Sequence, residues 1–156
     1  MATTRLKSLL RLTLMGLVLQ GSAAFAADLT GNWRTIDDKT GFAKSIVKIE
    51  KNSAGEYTGT IIRVVPRPDY TPQELCTKCP APNTNKPIIG LTVLSGLKDD
   101  PKKDNHFMNG SILDPLSGKV YGAKARVSED GRRLTMRGYV GVSMLGRSQS
   151  WFREEK

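Results

Sequence analysis

The sequence predicts an all-β protein: a small, antiparallel, up-and-down barrel of about eight strands. Apolar and polar residues alternate with a period of two along several short segments, which is typical of half-buried strands. Turn residues such as Gly, Asn, Asp and Pro interrupt these segments at short, regular spacing, as in an antiparallel meander. The chain shows no helical apolar stripe, heptad pattern or internal repeat.

The first three strands are predicted at residues 32–36, 45–50 and 57–65. The turn residues at 52–55 join the second and third strands as a hairpin, with Val47 and Ile49 expected on the same face. The next segment, residues 66–87, is polar and contains six prolines. Because proline cannot donate to a central ladder, we interpret this segment as a long surface loop.

The remaining strands are predicted at residues 88–94, 107–113, 120–127, 133–140 and 147–153. Charged residues at 98–105 indicate a loop, and Asp-Pro-Leu-Ser-Gly at 114–118 indicates a tight turn. One face of the strand at 120–127 carries Tyr121, Ala123, Ala125 and Val127, and one face of the strand at 133–140 carries Leu134, Met136 and Val140. The expected inward face includes Val47, Tyr121, Ala123, Ala125, Leu134 and Met136, and the small alanines leave room for a ligand. Strands connected to their neighbours form a sandwich or a barrel, and closure into a barrel removes exposed sheet edges. An eight-stranded barrel is either filled by side chains or holds one small ligand.

The first 26 residues have the pattern of a secretory signal peptide. Arg5, Lys7 and Arg11 precede or flank an apolar run at 12–19, and Ala24-Phe25-Ala26 provides a small-x-small cleavage site. The run is shorter than the roughly 20 residues that span a bilayer. We therefore predict a signal peptide at 1–26, cleaved near Ala26, and a single barrel domain at 27–156 that is located in the periplasm.

The mature chain is basic. The formal net charge is +9, and the signal peptide carries three positive charges and no negative ones, so the mature chain keeps +6. The positive residues are dispersed, with few aromatic residues between them, unlike the pattern of single-strand nucleic-acid binders. We expect no nucleic-acid partner and a monomer, with the charge serving solubility or attraction to anionic lipid or an envelope protein.

Three blocks of sequence and the turn at 114–118 span most of the mature chain. The blocks are Gly31-Asn32-Trp33 with 37–41, Cys76-Thr-Lys-Cys79 leading to 87–90, and 137–141 with 146–153. In these blocks the chain resembles the bacterial periplasmic family known as domain of unknown function 2147, whose members look like small relatives of the lipocalin and fatty-acid-binding barrels. The resemblance implies a lipocalin-like fold and no particular activity.

The Gly31-x-Trp33 element also resembles the lipocalin signature. In that signature a tryptophan of the first strand plugs the barrel floor, and an arginine of the last strand packs on its ring. The resemblance implies that Gly31 and Trp33 help to close this barrel, with Arg147 or Arg153 as the arginine.

Cys76 and Cys79 are the only cysteines, and they lie in the proline-rich segment. In an oxidising compartment the leading interpretation is a local disulfide. A redox pair would need a thioredoxin-like strand-helix-strand context. A zinc site would need two further ligands, and the chain has a single histidine, His106. We therefore expect no metal site and no cofactor.

No catalytic group emerges from the sequence. The serines lack an elbow motif, so a hydrolytic triad would have to be built around His106 alone. The neighbouring carboxylates Asp37 and Asp38 fit turn chemistry, in which the side chain bonds backbone amides. We expect a non-enzymatic protein.

One polar face of the last strand is formed by every second residue: Arg147, Gln149, Trp151 and Arg153. In one interpretation Arg147 and Gln149, with Arg137 of the neighbouring strand, hold the acid end of an amphiphilic ligand beside Tyr121 and Met136. In the other, these polar residues face solvent or support Trp33.

The preferred function is the binding of a small apolar or amphiphilic molecule. The alternative is an envelope interaction module with a filled barrel, whose basic surface or 66–87 loop docks on anionic lipid or a protein partner.

Overall fold

The computed structural model describes residues 27–142 and 144–155, so the predicted signal peptide lies outside the described residues. Each strand pairs antiparallel with the next, and β1 pairs with β8 to close a barrel. The predicted up-and-down barrel is therefore confirmed. The strands are β1 (Gly31–Ile36), β2 (Ala43–Lys51), β3 (Tyr57–Val64), β4 (Thr92–Asp99), β5 (His106–Leu113), β6 (Val120–Val127), β7 (Arg133–Tyr139) and β8 (Gly146–Arg153).

Alternation along β6 and β7 separates the interior from the outer wall. Ala125 and Val127 are buried, and so are Met136 and Leu134, which lie directly opposite them across the β6–β7 ladder. Directly opposed residues share a face of a sheet. Val140 is an exception to the prediction: β7 ends at Tyr139, and the Val140 side chain is 64% exposed.

The predicted fourth strand is misplaced. β4 begins at Thr92 instead of residue 88 and continues to Asp99, which shortens the predicted loop at 98–105. Val93, Leu94 and Leu97 are all buried, a spacing that a period of two does not produce. Gly96 and Asn109 of β5 have φ values of +68° and +62°, and such left-handed residues interrupt the alternation of a strand.

Trp33 and Arg153 close one end of the barrel. The Trp33 ring is fully buried, and its Nε1 donates a hydrogen bond to the Leu29 carbonyl at 2.8 Å. The Arg153 guanidinium lies over this ring, 4.3 Å from its centroid. It also donates to the backbone carbonyls of Asp28, Thr30 and Gly131. Gly31 leaves space for this group, since a Cβ there would lie 2.9 Å from the guanidinium.

The side chain of Asp28 stabilises the same closed end. Its carboxylate accepts hydrogen bonds from the backbone N–H and the hydroxyl of Thr30, at 2.9 and 2.6 Å. Burial raises the pKa of Asp28, but the hydrogen bonds from Thr30 and the charge of Lys51 outweigh burial and hold the pKa below the usual 3.8. The ionised form is therefore favoured in the folded state.

Replacing Trp33 with Ala should lower the free energy of unfolding by about 3–5 kcal/mol, because it removes a large buried side chain that the floor cannot refill. Urea denaturation measures this change. Phe152→Ala is the control: its side chain is 38% exposed, and the expected effect is about 1 kcal/mol or less. An unchanged denaturation midpoint for Trp33→Ala would contradict the closing role of this residue.

The Asp28 contacts should contribute stability that depends on pH. A carboxyl group with a lowered folded-state pKa stabilises the fold above its unfolded pKa of about 3.9, and this contribution is lost as the pH falls through the folded value. The melting temperatures of the wild type and Asp28→Asn should therefore differ near neutral pH and converge in acid. A difference that persists unchanged into acid would refute this assignment.

Candidate ligand-binding cavity

A cavity of about 590 Å³ opens at the end of the barrel opposite Trp33 and Arg153. The loops that follow β1, β3, β5 and β7 surround its mouth. It extends inward to Val47, Ile61, Met136 and Trp151, all nearly fully buried. The alternative of a barrel filled by side chains therefore does not hold for this half of the molecule. The volume lies within the range of about 300–1,000 Å³ usual for small-molecule sites.

Trp151 lines the cavity and carries a buried hydrogen-bond donor without a partner. The residue is 2% exposed, and its Nε1 is the one buried side-chain polar atom without a hydrogen-bond partner among the described residues. Buried indole N–H groups usually find a partner, and an unmade bond costs about 1–3 kcal/mol. Because the Nε1 atom has almost no accessible surface, an acceptor on a molecule in the cavity could reach it only if neighbouring side chains moved.

The Gln149 amide, which forms no hydrogen bond within residues 27–142 and 144–155, lies two residues from Trp151 on the inward face of β8. Gln149 is opposite Met136 across the β7–β8 ladder and also lines the cavity. Thr35 and Ser45 add hydroxyl groups on the β1–β2 side, but these bond each other at 2.9 Å. The free hydrogen-bonding capacity of the deep cavity is therefore concentrated on β8.

Charged side chains are confined to the mouth. Arg147 pairs with Asp38 at 2.5 Å, and the Arg147 side chain is 65% exposed. The carboxylates of Asp37 and Asp114 accept backbone N–H groups of their own turns. Lys39 also lines the mouth and forms no ion pair within the described residues. The cavity thus changes from charged at the mouth to neutral and largely apolar in its depth.

Four of the five predicted ligand-binding residues line the cavity: Tyr121, Met136, Arg147 and Gln149. Arg137 does not, and its expected position is wrong. It lies opposite Ser148 on the outer face and donates to the Ser148 hydroxyl and the Met144 carbonyl. The physical reason is register: because Gln149 faces inward opposite Met136, the next pair along the ladder must face outward.

Ala123 and Ala125 also differ from their expected role. Both are buried among core side chains and do not line the cavity. Ala125 lies opposite Phe107, whose ring occupies this part of the interior. Trp151 lies on the β8 face that the sequence predicts but has no predicted role in binding, and Asp38 is not predicted at the site. The alternation of β8 places Trp151 inward with Gln149, whereas no sequence signal pairs Asp38 with a residue more than a hundred positions away.

The segment at 65–91 packs beside the mouth and is held by the cysteine pair. Cys76 and Cys79 lie at disulfide distance, with their Cα atoms 5.4 Å apart, and both are buried. The segment contacts the β5–β6 turn closely at Gly118, where an added Cβ would lie 1.8 Å from the Lys78 carbonyl oxygen. This part of the rim is therefore packed tightly and allows no larger residue at 118.

The described residues do not bring potential metal ligands together. They contain no group of three His, Cys, Asp or Glu side chains that could hold a metal ion. His106 lies at the closed end, where a ring nitrogen contacts the Asp104 carbonyl at 2.8 Å. A search of the same residues for a helix long and apolar enough to cross a membrane found none.

Residues 31–153 match the model of a family described as "uncharacterized protein conserved in bacteria (DUF2147)". The chain belongs to this family. DUF2147 carries no assigned activity in that description. No curated protein matches the chain.

Among solved structures the chain is similar to protein HP1028 from Helicobacter pylori, described as belonging to the lipocalin family. The TM-score is 0.69 and the sequence identity 20%, over 83% of this chain and 85% of HP1028. At this identity the similarity supports the lipocalin-like fold of this DUF2147 member and nothing further.

Gly118→Ala should destabilise the protein more than Gly131→Ala. Both glycines have φ +70°, which costs about 1–2 kcal/mol for a residue with a Cβ, but only position 118 lacks space. Gly131→Ala is thus a matched control for backbone strain, and chemical denaturation of both variants isolates the contact with Lys78. Equal destabilisation by the two substitutions would show that segment 65–91 does not pack tightly against the β5–β6 turn.

Proposed function

We propose that this protein is a non-enzymatic periplasmic binder of a small amphiphilic molecule held inside the barrel. The observation that carries the proposal is the open, largely apolar cavity of about 590 Å³ inside the barrel. The periplasmic location rests on the signal-like pattern of residues 1–26. The lipocalin-like fold is compatible with this role.

The apolar part of the ligand would lie against the side of the cavity formed by Val47, Ile61, Val93 and Ile112. Burying apolar surface there stabilises the complex by about 25 cal/mol per Å², before the cost of association is subtracted. A few convergent polar groups within an apolar wall are the usual composition of small-molecule sites.

The polar end of the ligand would meet the Gln149 amide, and the Trp151 N–H after a shift of the side chains that cover it. An indole N–H only donates, so its partner must be an acceptor. No Lys or Arg lines the deep cavity to neutralise a charged acceptor, and burying an unpaired carboxylate is costly. We therefore infer a neutral acceptor such as a carbonyl, ester or amide oxygen. This revises the expected contact of an acid group with Arg147, which already pairs with Asp38.

Native mass spectrometry of the mature protein purified from periplasm tests the proposal, together with titration of the neutral fluorescent probe N-phenyl-1-naphthylamine. We expect either the mass of a co-purified small molecule or saturable binding of the probe. Lipid extracted from the purified protein should displace the bound probe. A bare protein mass together with no saturable probe binding would overturn the proposal.

Met136→Trp should weaken probe binding about tenfold or more, because the larger side chain occupies cavity space. Thr135→Trp is the matched control: it adds a tryptophan one position away on β7, facing outward, and should bind the probe like the wild type. Circular dichroism checks that both variants fold. Equal affinities for the two folded variants would show that the probe does not bind in the cavity.

A further inference from the structure

Exposed apolar side chains are concentrated around the cavity mouth. Of the twelve large apolar side chains exposed in the described residues, nine lie in the four loops at the open end. These nine are Phe42, Tyr70, Leu75, Ile89, Leu116, Val140, Val142, Met144 and Leu145. Contiguous exposed apolar surface of this kind indicates an interaction site.

The loop between β7 and β8 is the most apolar part of this rim. Val140, Val142, Met144 and Leu145 are 64%, 62%, 86% and 70% exposed, and residues 140–145 include no charged residue. We call these four side chains the apolar tip.

The outer wall that leads to the apolar tip is basic. Strands β5 to β8 contain no Asp or Glu. Lys124 and Arg137 lie directly opposite each other on the outer face of β6 and β7, with Arg126 and Arg133 further from the mouth. Like charges placed opposite each other destabilise a sheet, so this arrangement indicates a surface suited to a negatively charged partner.

The basic wall and the apolar tip are physically connected. Arg137 donates a hydrogen bond to the Met144 carbonyl at 3.0 Å, which holds its guanidinium at the base of the tip. Lys124 forms no ion pair within the described part of the chain. Positive charge therefore lies immediately behind exposed apolar side chains.

We propose that the open end of the barrel docks on an anionic lipid bilayer. The apolar tip enters the boundary between headgroups and acyl chains, and Lys124 and Arg137 contact the anionic headgroups. Apolar residues backed by Lys and Arg are the combination by which peripheral segments bind such membranes. Docking goes beyond ligand binding and does not require an occupied cavity, but it would set the mouth against the membrane.

Vesicle sedimentation of the mature protein tests this docking, with vesicles of phosphatidylethanolamine and phosphatidylglycerol and with neutral phosphatidylcholine vesicles. We expect binding to the anionic vesicles that weakens about tenfold or more in the double variant Met144→Asp, Leu145→Asp, because two charges cannot enter the apolar boundary. Ile62→Asp is the control, since Ile62 is exposed on β3, across the barrel from β7.

A second pair of variants separates local contact from overall charge. Lys124→Glu and Lys102→Glu change the net charge equally, but Lys102 lies in the loop at the closed end. Only Lys124→Glu should weaken vesicle binding strongly. Equal losses would show general electrostatic attraction and overturn the proposal.

Three other outcomes would also overturn docking on lipid. In the first, the protein does not bind anionic vesicles, and in the second it binds them equally well with and without the tip substitutions. In the third outcome, the apolar tip binds a protein partner and not lipid. Met136→Trp distinguishes this proposal from the ligand-binding one. If vesicle binding persists in this variant while probe binding is lost, docking stands independently of the cavity.

Discussion

The barrel depends on the contact between Arg153 and Trp33. Arg153 ends β8 and Trp33 lies in β1, so their stacking joins the last strand to the first. The remaining guanidinium hydrogen bonds hold the segment before β1 and the β6–β7 turn to the same group. A planar cation with several fixed donors suits this task better than lysine, which offers a single point charge. One side chain thereby links three parts of the chain that are distant in sequence.

Closure at this end allows the other end to remain hollow. Large side chains such as Tyr57 and Phe107, whose rings pack edge to face at 5.5 Å, fill the interior near the floor. Toward the mouth, the strands enclose the cavity and the loops surround its opening. The part of the interior that side chains fill and the cavity thus lie at different ends of the barrel axis.

How much of the fold and of the cavity lining the sequence predicts depends on how regular each strand is. A period of two identifies β6 and β7 and their inward residues because both strands are regular. It fails at β4, where Gly96 and Asn109 of β5 adopt left-handed φ values. It groups the residues of one β8 face but leaves open whether that face points inward, and it misplaces Arg137, because the face of one strand relative to its neighbour depends on register. The ion pair of Asp38 with Arg147 depends on loop conformation and could not be read from either strand.

The buried indole of Trp151 has a consequence for selectivity. A ligand that places its acceptor at this donor enters head first, so its hydrocarbon end extends toward the mouth and the apolar loops around it. The protein would then discriminate strongly among head groups and weakly among chain lengths, because the cavity is open at the mouth and does not limit the length of the ligand's hydrocarbon chain. Such a site would accept a homologous series of molecules that share one polar group.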